Sequence, residues 1–164
     1  WAAIGGSLSP TQAKMLAWSY GVVVYAALGL GCAAVVQRVT TSLGARLGLV
    51  TSAAGALLYT FGIWFEMARY DWWWKAFGAT FVLSFAAAHA SLLLLVNLTD
   101  KFAVVRTVTR LSSYACATTL TAMMLFERSD ELLWRVSAVT STLALFGTLA
   151  MPVLWKLGNA RSAA

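Results

Sequence analysis

Five stretches of this chain are each long and apolar enough to cross a lipid bilayer, and only short polar links separate them. A helix needs about 20 predominantly apolar residues to span the hydrocarbon core. The stretches run Met15–Val36, Leu47–Met67, Ala76–Leu98, Val104–Phe126 and Leu132–Trp155. The links Gln37–Arg46, Ala68–Lys75, Thr99–Ala103 and Glu127–Glu131 leave no room for a soluble domain. Only 11% of the residues are charged, against about 25% in a soluble domain. The expected architecture is therefore all-α: one transmembrane domain over residues 1–164, built as a bundle of five transmembrane helices.

The ends of the stretches carry helix signals. Ser9-Pro10-Thr11-Gln12 reads as an N-cap serine, a proline in the first turn and a capping-box glutamine. The fourth stretch is the least apolar, with Arg106 and Arg110 in its first turns. Arginines one turn apart near a helix end can snorkel to the headgroups, so it still counts as a span. Both prolines, Pro10 and Pro152, are expected at helix ends. The sequence opens at Trp1 with no basic run before the first stretch. That favours a retained helix over a cleaved signal peptide.

Charge gives an orientation. One side holds Lys14, Arg69, Lys75, Arg128 and Arg135; the other holds Arg38, Arg46, Lys101, Arg106, Arg110, Lys156 and Arg161. The lysine and arginine bias places the N-terminus outside and the C-terminus in the cytoplasm. Five of the six acids fall on the outer side, so the net charge of +6 belongs to the inner face. Without any basic run, this charge reads as topology and not as a nucleic-acid footprint. The lipid bilayer is the expected partner, together with other membrane subunits or further copies of the chain.

Tryptophan crowds the outer rim: Trp18, Trp64, Trp72, Trp73, Trp74 and Trp134 lie there, and Trp155 at the inner interface. An aromatic belt explains most of them. Three consecutive tryptophans cover too wide an arc for all to face lipid. At least one ring of Trp72, Trp73 and Trp74 is expected against protein, another subunit or a bound amphiphile, and Trp134 joins them as a candidate interface residue.

The chain also echoes itself. Phe65-Glu66, Asp71 and Trp74-Lys75 are matched by Phe126-Glu127, Glu131 and Trp134-Arg135, with Lys75 and Arg135 60 residues apart. Read as duplication, helices 2–3 and 4–5 form two parallel repeats about an axis along the membrane normal. The stretch Asp130-Glu131-Leu132-Leu133-Trp134-Arg135, with Gly147-Thr148 and Pro152-Val153-Leu154 beyond it, resembles uncharacterised bacterial multi-pass membrane proteins. Trp73-Trp74-Lys75 and Ala88-His89-Ala90-Ser91-Leu92-Leu93 are similar too. The resemblance covers about the last hundred residues; it implies a bacterial, inner-membrane origin and carries no activity.

His89 is the single histidine and lies deep in the third stretch, where an ionisable group is a functional candidate by default. At its depth the other stretches offer Ala27 to Gly29, Gly55 and Ala56, Ser113 and Tyr114, and Phe146 and Gly147. These small residues permit tight packing around a His89–Tyr114 or His89–Ser113 hydrogen bond. They equally permit a slot for a flat ring, with His89 as the lone axial ligand of a haem or a chlorophyll-type pigment. A proton relay is the third role.

Other groups read more plainly. Glu66 and Glu127 end the second and fourth helices at equivalent outer positions, where Arg69 or Lys75 and Arg128 or Arg135 offer ion-pair partners. Asn97 and Asp100 supply end polarity to the third helix. Gly48, Gly55 and Gly62 recur every seven residues on one face, and Gly29/Ala33 and Ser113/Ala117 form similar stripes that let helices approach closely. The two cysteines, Cys32 and Cys116, sit in apolar stretches and outline neither a disulfide framework nor a metal motif.

No nucleophile–base pair, mid-span acid or filter motif is present, so neither a self-sufficient enzyme nor a channel is expected. The expected function is an accessory or structural subunit of a larger membrane complex, an energy-converting one being a plausible host. The alternatives are a haem- or chlorin-binding protein and a small oligomeric transporter.

Overall fold

The computed structural model describes residues 9–39, 42–95, 103–127 and 130–161, with side chains as far as residue 156. Among these, all regular structure is helical: α1 (Pro10–Arg38), α2 (Leu43–Trp64), α3 (Asp71–Leu95), α4 (Ala103–Phe126) and α5 (Glu131–Arg161), with a single 3-10 turn at Met67–Arg69. Four of the five, all but α4, are long and apolar enough to cross a membrane.

The start of α1 is chemically explicit. The Ser9 hydroxyl accepts from the Gln12 amide at 3.3 Å while the Gln12 side chain accepts from the Ser9 amide at 3.0 Å. The expected capping box thus ties up two of the amides that a helix start leaves unpaired. Ser42 caps α2 in the same way through the Ala45 amide.

Just past the ends of α2 and α4, Glu66 and Glu127 adopt left-handed backbone, with φ of 55° and 51°. That conformation usually falls to glycine after a helix. Here the carboxylates are anchored instead: Glu66 accepts from Lys14 at 2.7 Å, and Glu127 pairs with Lys75. The partners differ from the sequence expectation. Neither Arg69 nor Arg135 takes these carboxylates, because the lysines in the first turns of α1 and α3 stand beside the ends of the antiparallel α2 and α4; Arg128 lies outside the described residues.

Helices α1, α2 and α3 pack mutually, α4 packs on α3, and α5 packs along α4. The contacts are close because the facing residues are small. At the centre, Cys32, Ala87 and Ala88 are buried with Leu28 and Tyr114 against them. The glycine stripe of α2 serves this chain's own interfaces. An added Cβ at Gly48 would meet the Cys32 sulfur and Ala87, at Gly55 the Tyr25 ring, and at Gly62 the Trp73 ring.

α4 reconciles its polarity with this setting by turning hydroxyls onto its own backbone. Thr107, Thr109, Thr118 and Thr119 each donate to the carbonyl four residues earlier. A hydroxyl so spent needs no further partner among apolar neighbours.

One further expectation is corrected. Pro152 lies inside α5, which continues to Arg161. Proline has no N–H to offer the carbonyl of Thr148, four residues earlier. Such a loss is tolerated in membrane helices where neighbouring polar groups compensate, and Thr148 lies in a polar cluster.

Candidate functional site

His89 projects from α3 into the space between α4 and α5. Its Nδ1 lies 3.1 Å from the Ser113 hydroxyl on α4, and its Nε2 lies 2.9 Å from the Thr148 hydroxyl on α5. The expected His89–Ser113 bond is present. Tyr114, the other expected neighbour, is not a partner: one residue further round α4, it packs on the opposite side against the Cys32 and Ala87 cluster. Counting depth along α5 pointed to Phe146 and Gly147 and missed Thr148. The local reason is Gly147, where an added Cβ would land on the Thr109 side chain of α4. Its absence lets α5 approach α4 and sets Thr148 beside the imidazole.

Proton counting orders the cluster. The Thr148 hydroxyl donates to the Ala144 carbonyl at 2.6 Å, and the Ser113 hydroxyl to the Thr109 carbonyl at 2.9 Å. Each hydroxyl has one proton, and neutral imidazole has one N–H. Four hydrogen bonds therefore share three protons. The shorter back-bond is that of Thr148, so Thr148 keeps it and accepts from Nε2–H. Ser113 turns its proton to Nδ1, while the Thr109 carbonyl retains its helical amide donor.

This arrangement bears on metal chemistry. An axial ligand needs a bare imidazole nitrogen, and both of His89's are engaged, so the residues as arranged do not fit a haem or chlorin metal. Among the described residues, no group of three or more histidine, cysteine or acidic side chains gathers to hold a metal ion.

Beside His89 opens a cleft of about 500 Å³ between α3 and α5, floored by α4. Phe81, Phe85 and Leu145 are among its lining residues, and the surface it presents is almost wholly apolar: the hydroxyls of Ser113, Ser141 and Thr148 are engaged with His89 or with their own helices. Its size lies within the range of small-molecule pockets.

The tryptophan cluster divides. Trp73 is buried, stacked on Phe77 at 5.3 Å between centroids, with its indole N–H donating to the Leu58 carbonyl. It is the ring of the three that lies against protein, inside this chain and not at its surface: its position at the start of α3 turns it toward Gly62 of α2. Trp72, Trp74 and Trp134 remain exposed, Trp74 donating to the Ala68 carbonyl.

The internal echo extends further than the sequence reading took it. Lys14–Glu66 and Lys75–Glu127 are ion pairs of the same sequence separation, 52 residues. Lysine and glutamate each advance by 61 residues from one pair to the next. The two pairs thus join the start of α1 to the end of α2 and the start of α3 to the end of α4.

Comparison with known proteins finds no matching family model, no similar curated protein and no similar solved structure.

Proposed function

We propose that this chain is a five-span subunit of a bacterial inner-membrane complex, with its N-terminus outside, and that α5 is the surface on which a partner's transmembrane helix packs. The observation carrying this reading is the exposure of α5: its spanning part is the least covered of the four apolar helices, with 11% of it buried against 44% for α3. Among the described residues, Lys14 and Lys75 each pair with a carboxylate at the end of the following helix, whereas Arg135 pairs with Glu131 on its own helix.

Counting α4 as the fifth span is supported by its 24 residues, about 36 Å of helix, and by its back-bonded hydroxyls. The bias of lysine and arginine toward the opposite end supports the orientation.

Position-specific crosslinking in native membranes tests the proposal. With Cys32 and Cys116 replaced by serine, a cysteine at Phe146 on the exposed face of α5 is expected to crosslink to a second chain. A cysteine at Leu30, equally exposed on α1, is expected not to. A chain that stays monomeric from both positions, with no co-purifying subunit by native mass spectrometry, overturns it. A cysteine in the Ala68–Lys75 link should be labelled from the periplasm; labelling only after lysis reverses the orientation.

A further inference from the structure

Charge is sorted to the two ends of the bundle, and only one end balances it. Where α1, α3 and α5 begin, the described residues place Lys14, Arg69, Lys75 and Arg135 among Glu66, Asp71, Glu127, Asp130 and Glu131. Where α2 and α4 begin, they place Arg38, Arg46, Arg106, Arg110 and Lys156, and no carboxylate. Asp100, the remaining acid of the sequence, lies outside the described residues. The helix starts divide in the same way. α3 and α5 carry an acid in the first turn, Asp71 and Glu131, whereas α2 and α4 carry none.

Arg110 is where the imbalance is least relieved. It stands seven residues into α4, about 10 Å along the axis from the helix start. Its Nε is buried and has no hydrogen-bond partner. Arg46 and Arg106 have interactions of their own; no carboxylate among the described residues pairs with Arg110. A guanidinium drawn out of water without a counter-charge is costly, the more so in a helix that crosses a membrane.

Tyr114 lies one turn further along the same face of α4. Its hydroxyl reaches the first turn of α2, where an added Cβ at Gly44 would land on it. That hydroxyl is within electrostatic reach of Arg110 and makes no hydrogen bond among the described residues. Two donors, one of them cationic, thus stand side by side with bonding capacity unspent.

The complement of such a pair is an oxyanion, and the flanking side chains select its source. Leu111, one turn before Tyr114, and Leu47, one turn after Gly44, are 63% and 55% exposed. They offer apolar surface to acyl chains, which free phosphate cannot use. We propose that Arg110 and Tyr114 bind the phosphate of an anionic phospholipid. The guanidinium donates to the phosphate oxygens, the phenol adds a further hydrogen bond, and the acyl chains lie along Leu111 and Leu47. The site rests on the reading of α4 as a span, with its arginine end at the membrane surface.

The full chain in dodecylmaltoside micelles is titrated with phosphatidylglycerol, with phosphatidylcholine of the same acyl chains, and with inorganic phosphate. Bound molecules are counted by native mass spectrometry. Phosphatidylglycerol is expected to bind about fivefold more tightly than phosphatidylcholine, the worth of one basic residue against an anionic lipid. Inorganic phosphate is expected not to displace it. Arg110→Gln should erase the preference, and Tyr114→Phe should weaken both lipids about threefold, as for one lost hydrogen bond. Arg135→Gln, at the opposite end, should leave the preference intact. Retained helicity by circular dichroism certifies each variant, and either Arg110→Gln or Tyr114→Phe suffices. Equal binding of the two lipids (a guanidinium that only snorkels) overturns the proposal. So does displacement by inorganic phosphate, full affinity in a folded Arg110→Gln or Tyr114→Phe variant, or a preference lost equally in Arg135→Gln. The span is read apart: with Cys32 and Cys116 replaced by serine, a cysteine at Phe126 should be labelled from the same side as one in the Ala68–Lys75 link. Labelling from the other side overturns the span whatever the titration shows.

Discussion

Thr148 accepts a hydrogen bond from Nε2 of His89 because its own proton is committed to the carbonyl of Ala144. The bond ties α5 to α3 at one end of an otherwise open cleft. It also fixes the tautomer: with Ser113 donating to Nδ1, neutral His89 carries its proton on Nε2.

Removing the acceptor should therefore be felt at two levels. Thr148→Val is expected to destabilise the bundle by about 0.6–1.7 kcal/mol, the range of interhelical hydrogen bonds in membranes. It should also shift the His89 imidazole nitrogens in 15N spectra, where wild type is expected to show a protonated Nε2 and an unprotonated Nδ1 that accepts from Ser113. Tyr114→Phe should leave those resonances in place. A spectrum in which Tyr114→Phe moves them and Thr148→Val does not contradicts the cluster as described.

The glycines of α2 make a second, graded test. At Gly62 a methyl group meets the Trp73 ring, which is stacked on Phe77 and hydrogen-bonded to Leu58 and so cannot yield. Gly62→Ala should cost about 1–3 kcal/mol by overpacking. At Gly31 the nearest side-chain atoms stand 3.9 Å from an added Cβ. Gly31→Ala should be neutral or stabilising by up to about 1 kcal/mol through helix propensity. Reversible unfolding in mixed micelles reads both.

What the sequence disclosed and what it hid divide along a physical line. Features set by residues close in the chain were legible: the apolar runs, the Ser9–Gln12 box, and the small-residue stripes. Features set by the pairing of helices were not. Arg69 lies nearer Glu66 in sequence than Lys14 does, yet Lys14 wins because α1 and α2 are antiparallel and its position faces the end of α2. Thr148 escaped because an estimate of depth by counting is uncertain by a residue, and one residue turns a helix by 100°. The equal spacing of Lys14–Glu66 and Lys75–Glu127, 52 residues in each case, was nevertheless there to be read.

The tryptophans at the start of α3 give a prediction that separates buried from exposed indoles. Trp73→Ala should cost about 3–5 kcal/mol, as expected for a large aromatic removed from a packed interior. Trp72→Ala, whose ring is exposed, should change stability by no more than about 0.5 kcal/mol. Quenching by brominated lipids should fall on losing Trp72 and hold on losing Trp73. Equal stability of the two variants would place Trp73 outside the core.

Acid should weaken the fold through the Lys14–Glu66 and Lys75–Glu127 pairs. The Lys14 ammonium, by hydrogen bond and then by charge, holds the Glu66 carboxyl below its ordinary value of 4.5, with Arg69 adding a smaller pull; Lys75 does the same to Glu127. A carboxyl depressed in the folded state contributes stability that is fully present above its unfolded-state value. That contribution disappears as pH falls through the lower, folded value. Because both carboxylates are exposed, the effect is small and is screened by salt. The Lys14→Gln/Lys75→Gln double variant should melt below wild type at about pH 6, and the gap should shrink as pH falls below the ordinary carboxyl range and both carboxyls protonate. Thermal melts followed by circular dichroism over that interval measure it. A gap that keeps its size at the acid end would mean that the lysines stabilise the bundle by packing their aliphatic stems, and not by charge.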